Sequence, residues 1–195
     1  MIYIIGGAPR VGKSIIAGRL YAKIGARLIS TDNLEMPSNN LEPIGFFGNS
    51  EENILTPEAR VELQIAEANL LQKTIQQIIS KSVIGHEDVI IEGIHLLPNY
   101  VDRVRKEYGL KIIRPIFFGS RNIKLVFSGM VQNTNPNDWL KESSEIVRRQ
   151  VAEFTCSFSR FLYQETRMYG LEYIEKSDNF ESDVEFAMQY LTVTN

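Results

Sequence analysis

Gly7, Gly12, Lys13 and Ser14 fit the spacing G-x-x-x-x-G-K-[ST], a pattern whose residue types suit a chain of phosphates. With a glycine at each end, the backbone of Gly7, Ala8, Pro9, Arg10, Val11 and Gly12 can wrap a phosphate, N–H groups inward and no Cβ in the way. The helix that follows adds the positive end of its dipole and its unpaired first-turn N–H groups. In that geometry Lys13 reaches the β- and γ-phosphates and the Ser14 hydroxyl holds Mg²⁺. The same letters arise by chance in glycine turns, and the flanking sequence decides against chance. Ile2–Ile5 is a short apolar, β-branched run of the kind buried on both faces of a sheet, and Ile15, Ile16, Leu20 and Ile24 recur at helical spacing.

Further groups suited to the same chemistry lie downstream. Asp32 ends the short strand-like run 26–33, where an open parallel sheet binds its ligands. There a carboxylate accepts the proton of an attacking hydroxyl or holds a Mg²⁺-bound water, although Asp at such a position also caps the next segment. Glu92 ends the apolar core of a third strand, 88–95, in the place of an acidic metal-shell residue. His95, at the end of the same run, fits an acceptor contact and a hydrogen-bonded structural role equally. On a long amphipathic helix over 144–169, Val147, Val151, Phe154 and Phe158 share one face. Arg149, Arg160 and Arg167 fall on the opposite side, with Arg148 one step round. Arg149 and Arg148 are the candidates for neutralising charge on a transferred phosphoryl group, whereas Arg160 and Arg167 read as a solvated face. Ser177 lies in the loop 176–180 after a fifth strand (171–175) and is placed to line a nucleotide base.

These groups need a scaffold, and the rest of the chain reads as one. Apolar residues make up 44% and charged residues 23% of the 195 residues, ordinary for one globular domain over 1–195 with a proper core. A net charge of −3 argues against nucleic acid or an anionic membrane as the main partner. With Cys156 the single cysteine, an internal disulfide is excluded and a reducing compartment is expected; Cys156 itself lies in an apolar helical pattern and reads as packing. Met1 leads straight into the first strand without a basic leader, and no stretch has the length of a membrane span, so the expectation is cytoplasmic. Pro37, Pro43, Gly45 and Gly48 mark 35–56 as a mobile loop carrying Phe46 and Phe47 as possible substrate or core contacts. Thr56-Pro57-Glu58 opens a long helix to about Ser80. Together 33–85 forms a substrate-side insertion, and the helix is equally able to pack on a second copy. A short basic helix follows at 101–108, a fourth strand at 110–118, a further helix after Asn122, a loop at 133–138 and a closing helix at 183–191.

The ordered set of motifs resembles the P-loop kinase superfamily over essentially the whole chain. Within it, Gly6–Ser14 together with Ile91-Glu92-Gly93-Ile94-His95-Leu96-Leu97-Pro98 resembles the 2-phosphoglycerate kinase group. The resemblance implies an α/β, three-layer fold: a five-stranded parallel sheet in the order 2-3-1-4-5, helices on both faces, and an arginine-bearing lid around 130–160. It also implies ATP and Mg²⁺ as co-substrates, transfer of the γ-phosphoryl group to a hydroxyl of a small-molecule acceptor, Asp32 as general base, and Arg148 and Arg149 as lid arginines. Glu92 stands where many relatives carry aspartate. A nucleoside or nucleotide kinase is the alternative within the class, served by Phe46 and Phe47 stacking on a base. A non-catalytic nucleotide-dependent regulatory module is the alternative outside it. A GTPase switch is excluded, since neither D-x-x-G after the third strand nor N-K-x-D after the fourth is present.

Overall fold

In the computed structural model, which describes residues 1–34, 55–132 and 138–193, β1 (Ile2–Gly7) is followed by α1 (Lys13–Ile24), β2 (Arg27–Ser30) and a 3-10 turn (Thr31–Asn33). Then come α2 (Pro57–Ile84), β3 (Val89–Gly93), α3 (Pro98–Tyr108), β4 (Ile113–Gly119) and α4 (Ile123–Gln132). A second 3-10 turn (Trp139–Lys141), α5 (Glu145–Tyr169), β5 (Glu172–Glu175) and α6 (Phe180–Thr192) complete the chain. The five strands form one parallel sheet in the order β2-β3-β1-β4-β5, as the resemblance implied. Phe46, Phe47 and the loop around them, and residues 133–137, lie outside the described residues.

Every residue of β1 and of β3 is buried, which is why both read as continuous apolar runs rather than alternating ones. Two sets of helices cover the sheet: α1 and α6 pack on each other and on the strands, and α2, α3 and α5 do the same. The main core runs through Ile4, Ile91, Phe117, Phe158 and Leu191. A second, smaller cluster of Val126, Met130, Leu140, Val147, Val151 and Cys156 joins α4, the 3-10 turn and the start of α5. Cys156 is thus a packing residue, and its burial pushes the thiol pKa up. Among the described residues, no helix is long and apolar enough to cross a membrane.

Several boundaries move from the sequence reading, each for a local reason. The fourth strand starts at Ile113, not Leu110, because the N–H groups of Ile112 and Ile113 both bond the Gly109 carbonyl in a turn that leaves Leu110 exposed. Leu96-Leu97-Pro98 reads as the end of an element, yet Pro98 opens α3 from its first position, where its missing N–H costs nothing. The last helix starts at Phe180 because the Asn179 side chain accepts from the Ser182 N–H and caps it. Asp32 is not a cap: the turn is entered at Ser30, and Asp32 lies inside it.

Candidate active site

The loop between β1 and α1 is packed closely against its neighbours. A Cβ on Gly7 would lie 2.3 Å from the Phe118 carbonyl oxygen, and Gly12, at φ 101°, would place one 2.3 Å from the Phe180 ring. Arg10 also takes a left-handed backbone, at φ 62°, uncommon for a residue with a side chain. Among the described residues, nothing accepts from the N–H groups of Val11, Gly12, Lys13 and Ser14, so a row of backbone donors at the start of α1 awaits an acceptor. That is the property a phosphate chain needs.

The Lys13 ammonium is buried and donates to the Ala8 carbonyl at 2.7 Å. Burial pulls its pKa down, while Glu92 and Asp32 pull it up. Glu92 pairs in register with Ile5 on one side and Ser30 on the other, which fixes its carboxylate at the carboxyl edge of the sheet. There the Ser14 hydroxyl donates to Glu92 Oε2 at 3.3 Å. A hydroxyl and a carboxylate oxygen side by side are hard donors of the kind Mg²⁺ takes, with water and phosphate oxygens filling its remaining positions. The pair fits that ion.

Asp32 follows β2 directly, its side chain 61% exposed and its Oδ1 3.6 Å from His95 Nδ1. The same ring nitrogen lies 3.1 Å from Thr31 Oγ1. The close approach of β3 to the turn depends on Gly93, at φ 149°, where a Cβ would lie 1.8 Å from Thr31 Oγ1. Burial is the largest influence on His95 and lowers its pKa; Asp32 raises it and Lys13 lowers it again.

A single cavity of about 870 Å³ joins these groups: Lys13, Ser14, Asp32 and His95 line it together with Gln64 from α2 and Lys176 after β5. Pro9, Arg10, Gly12 and Ser177 line it as well. The Ser177 hydroxyl is engaged locally, 2.8 Å from Asp183 Oδ1 and 3.2 Å from the Asn179 carbonyl oxygen. Arg148 and Arg149 are not brought to the cavity. Arg148 donates to the carbonyls of Leu140 and Lys141, each at 3.2 Å, and the exposed Arg149 stands 3.9 Å from Glu145.

Three features were not singled out by the sequence reading. Arg10 makes a two-pronged pair with Asp138, its Nη2 2.8 Å from Oδ1, and sits 5.7 Å from the Trp139 ring. Lys176 lies 5.5 Å from the Phe180 ring, and burial lowers its pKa against the opposing pull of Asp183. Gln64 and Glu67 stand one turn apart on α2 and both line the cavity. The lone cation in the loop after β5 was the one signal for Lys176. The other contacts join residues far apart in sequence.

No family model matches this chain, and no curated protein does. Solved structures do. It is similar to deoxyadenosine kinase from M. mycoides with bound dATP, at 14% identity and TM-score 0.55, over 99% of this chain and 100% of that one. It is similar to a gluconokinase from Sinorhizobium meliloti 1021, at 16% identity and TM-score 0.52, over 97% and 90%. A shikimate kinase from Acinetobacter baumannii in complex with shikimate matches at 10% identity and TM-score 0.51, over 96% and 90%. Together with the strand order, these likenesses define the fold as that of the P-loop kinases.

Proposed function

We propose that this chain is an ATP- and Mg²⁺-dependent phosphotransferase that moves the γ-phosphoryl group to a hydroxyl of a small molecule. One observation carries the reading: a single cavity has the phosphate-binding loop and Lys13 in its wall together with the Asp32–His95 pair. A nucleotide's phosphates and a second small molecule thus share one cleft. The structural likeness to kinases of a nucleoside, of gluconate and of shikimate supports the class of reaction.

In this reading the free N–H groups at the start of α1 hold the phosphate oxygens, and the Lys13 ammonium leaves Ala8 for the transferred group. Ser14 and Glu92 would hold Mg²⁺, which would supply positive charge beside the phosphates. Asp32 accepts the proton of the acceptor hydroxyl, with His95 Nδ1 3.6 Å from its Oδ1. Arg148 and Arg149 enter only through a movement of the small cluster of α4 and the start of α5, since their guanidinium groups point elsewhere. Ser177 serves the nucleotide end by shaping the loop that carries Lys176. For the acceptor, 2-phosphoglycerate rests on the two sequence motifs alone, and a nucleoside is the alternative that the likeness to deoxyadenosine kinase supports.

The test is coupled ATP consumption with Mg²⁺ against free and phosphorylated hydroxy acids, sugars, nucleosides and nucleoside monophosphates. Turnover with one acceptor, reduced roughly 10²–10⁴-fold by Asp32→Asn and roughly 10²–10³-fold or more by Lys13→Ala, is the expected result. Tight nucleotide binding with no acceptor-stimulated turnover would move the reading to a regulatory nucleotide-binding module.

A further inference from the structure

The cavity's charges are unevenly distributed. Among the described residues three cations line it, Arg10, Lys13 and Lys176, and each belongs to the phosphate end. Arg10 and Lys13 are in the loop itself, and Arg10 is neutralised by Asp138. Lys176 stands beside Phe180, whose ring packs against Gly12. The wall contributed by α2 and by the ends of β2 and β3 offers Gln64, Glu67, Asp32, Ile94 and His95, and α4 and α5 add further lining without a charged side chain. His95 is held toward its neutral form by burial. Glu67 is pushed toward its neutral form by burial as well. Arg60, one turn before Gln64 on α2, does not line the cavity; its guanidinium reaches the Gln150 carbonyl at 3.4 Å and the Gln150 side-chain oxygen at 3.3 Å.

The segments outside the described residues do not change the balance, because composition alone settles their sign. Residues 35–54 contain Glu35, Glu42, Glu51 and Glu52 and no Lys, Arg or His, and residues 133–137 are uncharged. An acceptor bearing a phosphate or carboxylate would therefore meet the Asp32 carboxylate at this wall, beside the Glu67 carboxyl, and no cation among the described residues that line it. Like charges a few ångströms apart in a partly desolvated site repel strongly. Gln64, meanwhile, is 4% exposed, and its amide nitrogen has no hydrogen-bond partner among the described residues. A native structure rarely leaves a buried donor unpaired, and a ligand hydroxyl or carbonyl at this wall would supply the missing acceptor.

We infer that the acceptor is a molecule with no anionic group, a hydroxyl-bearing compound recognised from α2 by the Gln64 amide and the Glu67 carboxyl. The inference rests on the phosphotransferase reading for the word acceptor, and on the cavity's own groups for the class of ligand.

The test uses matched pairs: glycerol with 2-phosphoglycerate, glucose with gluconate, adenosine with AMP. For each member, binding to the full chain loaded with Mg²⁺ and a non-hydrolysable ATP analogue is measured by calorimetry, and turnover with ATP is measured separately. The expected result is saturable binding of an uncharged member about tenfold or more tighter than its anionic partner. Gln64→Leu weakens that binding about tenfold, and Glu67→Lys narrows the gap between the two members. Gln64→Glu serves as the near-isosteric control should Gln64→Leu fail to fold. Tighter binding of an anionic member, or binding of no uncharged member, overturns the inference. So does a Gln64→Leu protein that binds the uncharged member as the wild type does. Binding of an uncharged member without turnover of any member overturns the phosphotransferase reading instead, and leaves the ligand class standing.

Discussion

His95 stands between two demands. Its Nδ1 faces both the Thr31 hydroxyl and the Asp32 carboxylate, and its ring is largely buried. Burial wins, so its pKa in the folded chain lies below that in the unfolded chain, about 6.5. Below that value the unfolded chain binds the extra proton more readily, so this residue's contribution to stability is present above pH 6.5 or so and is lost as pH falls. Urea unfolding of the wild type and His95→Gln at pH 7.5 and 5.5 checks it. The wild type loses more stability on acidification than the variant; equal losses would show that another group sets the slope. The residues of this site differ in how legible they were. Lys13 and Ser14 were read from spacing, because the loop motif is local and its geometry is fixed by glycines. Glu92 and Asp32 were read from position, because parallel strands end at one edge. The roles of Arg148 and Arg149 depend on where a helix end points, and helical periodicity gives the face of a helix but not what that face meets.

At the scale of elements, the loop after β1 is gripped from two sides by parts of the chain far away in sequence. Phe180, the first residue of α6, fills the space a Gly12 Cβ would need, and Asp138 pairs with Arg10 from the head of the second 3-10 turn. Neither grip has a sequence signature, since a long-range pair of side chains leaves no period. The helix faces do leave one, whereas the sheet order came only through the family resemblance. The Arg10–Asp138 pair is two-pronged and partly buried, which places it above an ordinary surface ion pair. A double-mutant cycle on Arg10→Ala and Asp138→Ala should give a coupling of about 1 kcal/mol or more in chemical unfolding. Additive single effects would mean the contact carries no energy of its own. Gly12→Ala faces both a left-handed backbone and the Phe180 ring, and should cost roughly 1–3 kcal/mol. Phe180→Ala on the same background should return the part due to crowding and leave the backbone part, separating the two causes.

The whole molecule converges on one end of its sheet. β1, β2, β3 and β5 each deliver a loop there, so the cavity is assembled from segments that touch only when the fold is complete. A ligand that binds this assembled end and not the unfolded chain must stabilise the entire domain. At a nucleotide concentration one hundred times its dissociation constant the gain is about 2.7 kcal/mol. For a chain of this size that corresponds to a rise in melting temperature of roughly 5–11 °C. The Ser14–Glu92 contact makes a sharper forecast. If these oxygens hold Mg²⁺, the shift with a non-hydrolysable ATP analogue is larger with Mg²⁺ than with EDTA, and Glu92→Gln reduces that difference while keeping most of the EDTA-measured shift. The backbone donors of the loop are untouched by the substitution, so the two contributions separate in one set of melting curves. A Glu92→Gln protein with the full Mg²⁺ increment would place the ion elsewhere. One that loses both increments would show that Glu92 holds the loop itself rather than the metal.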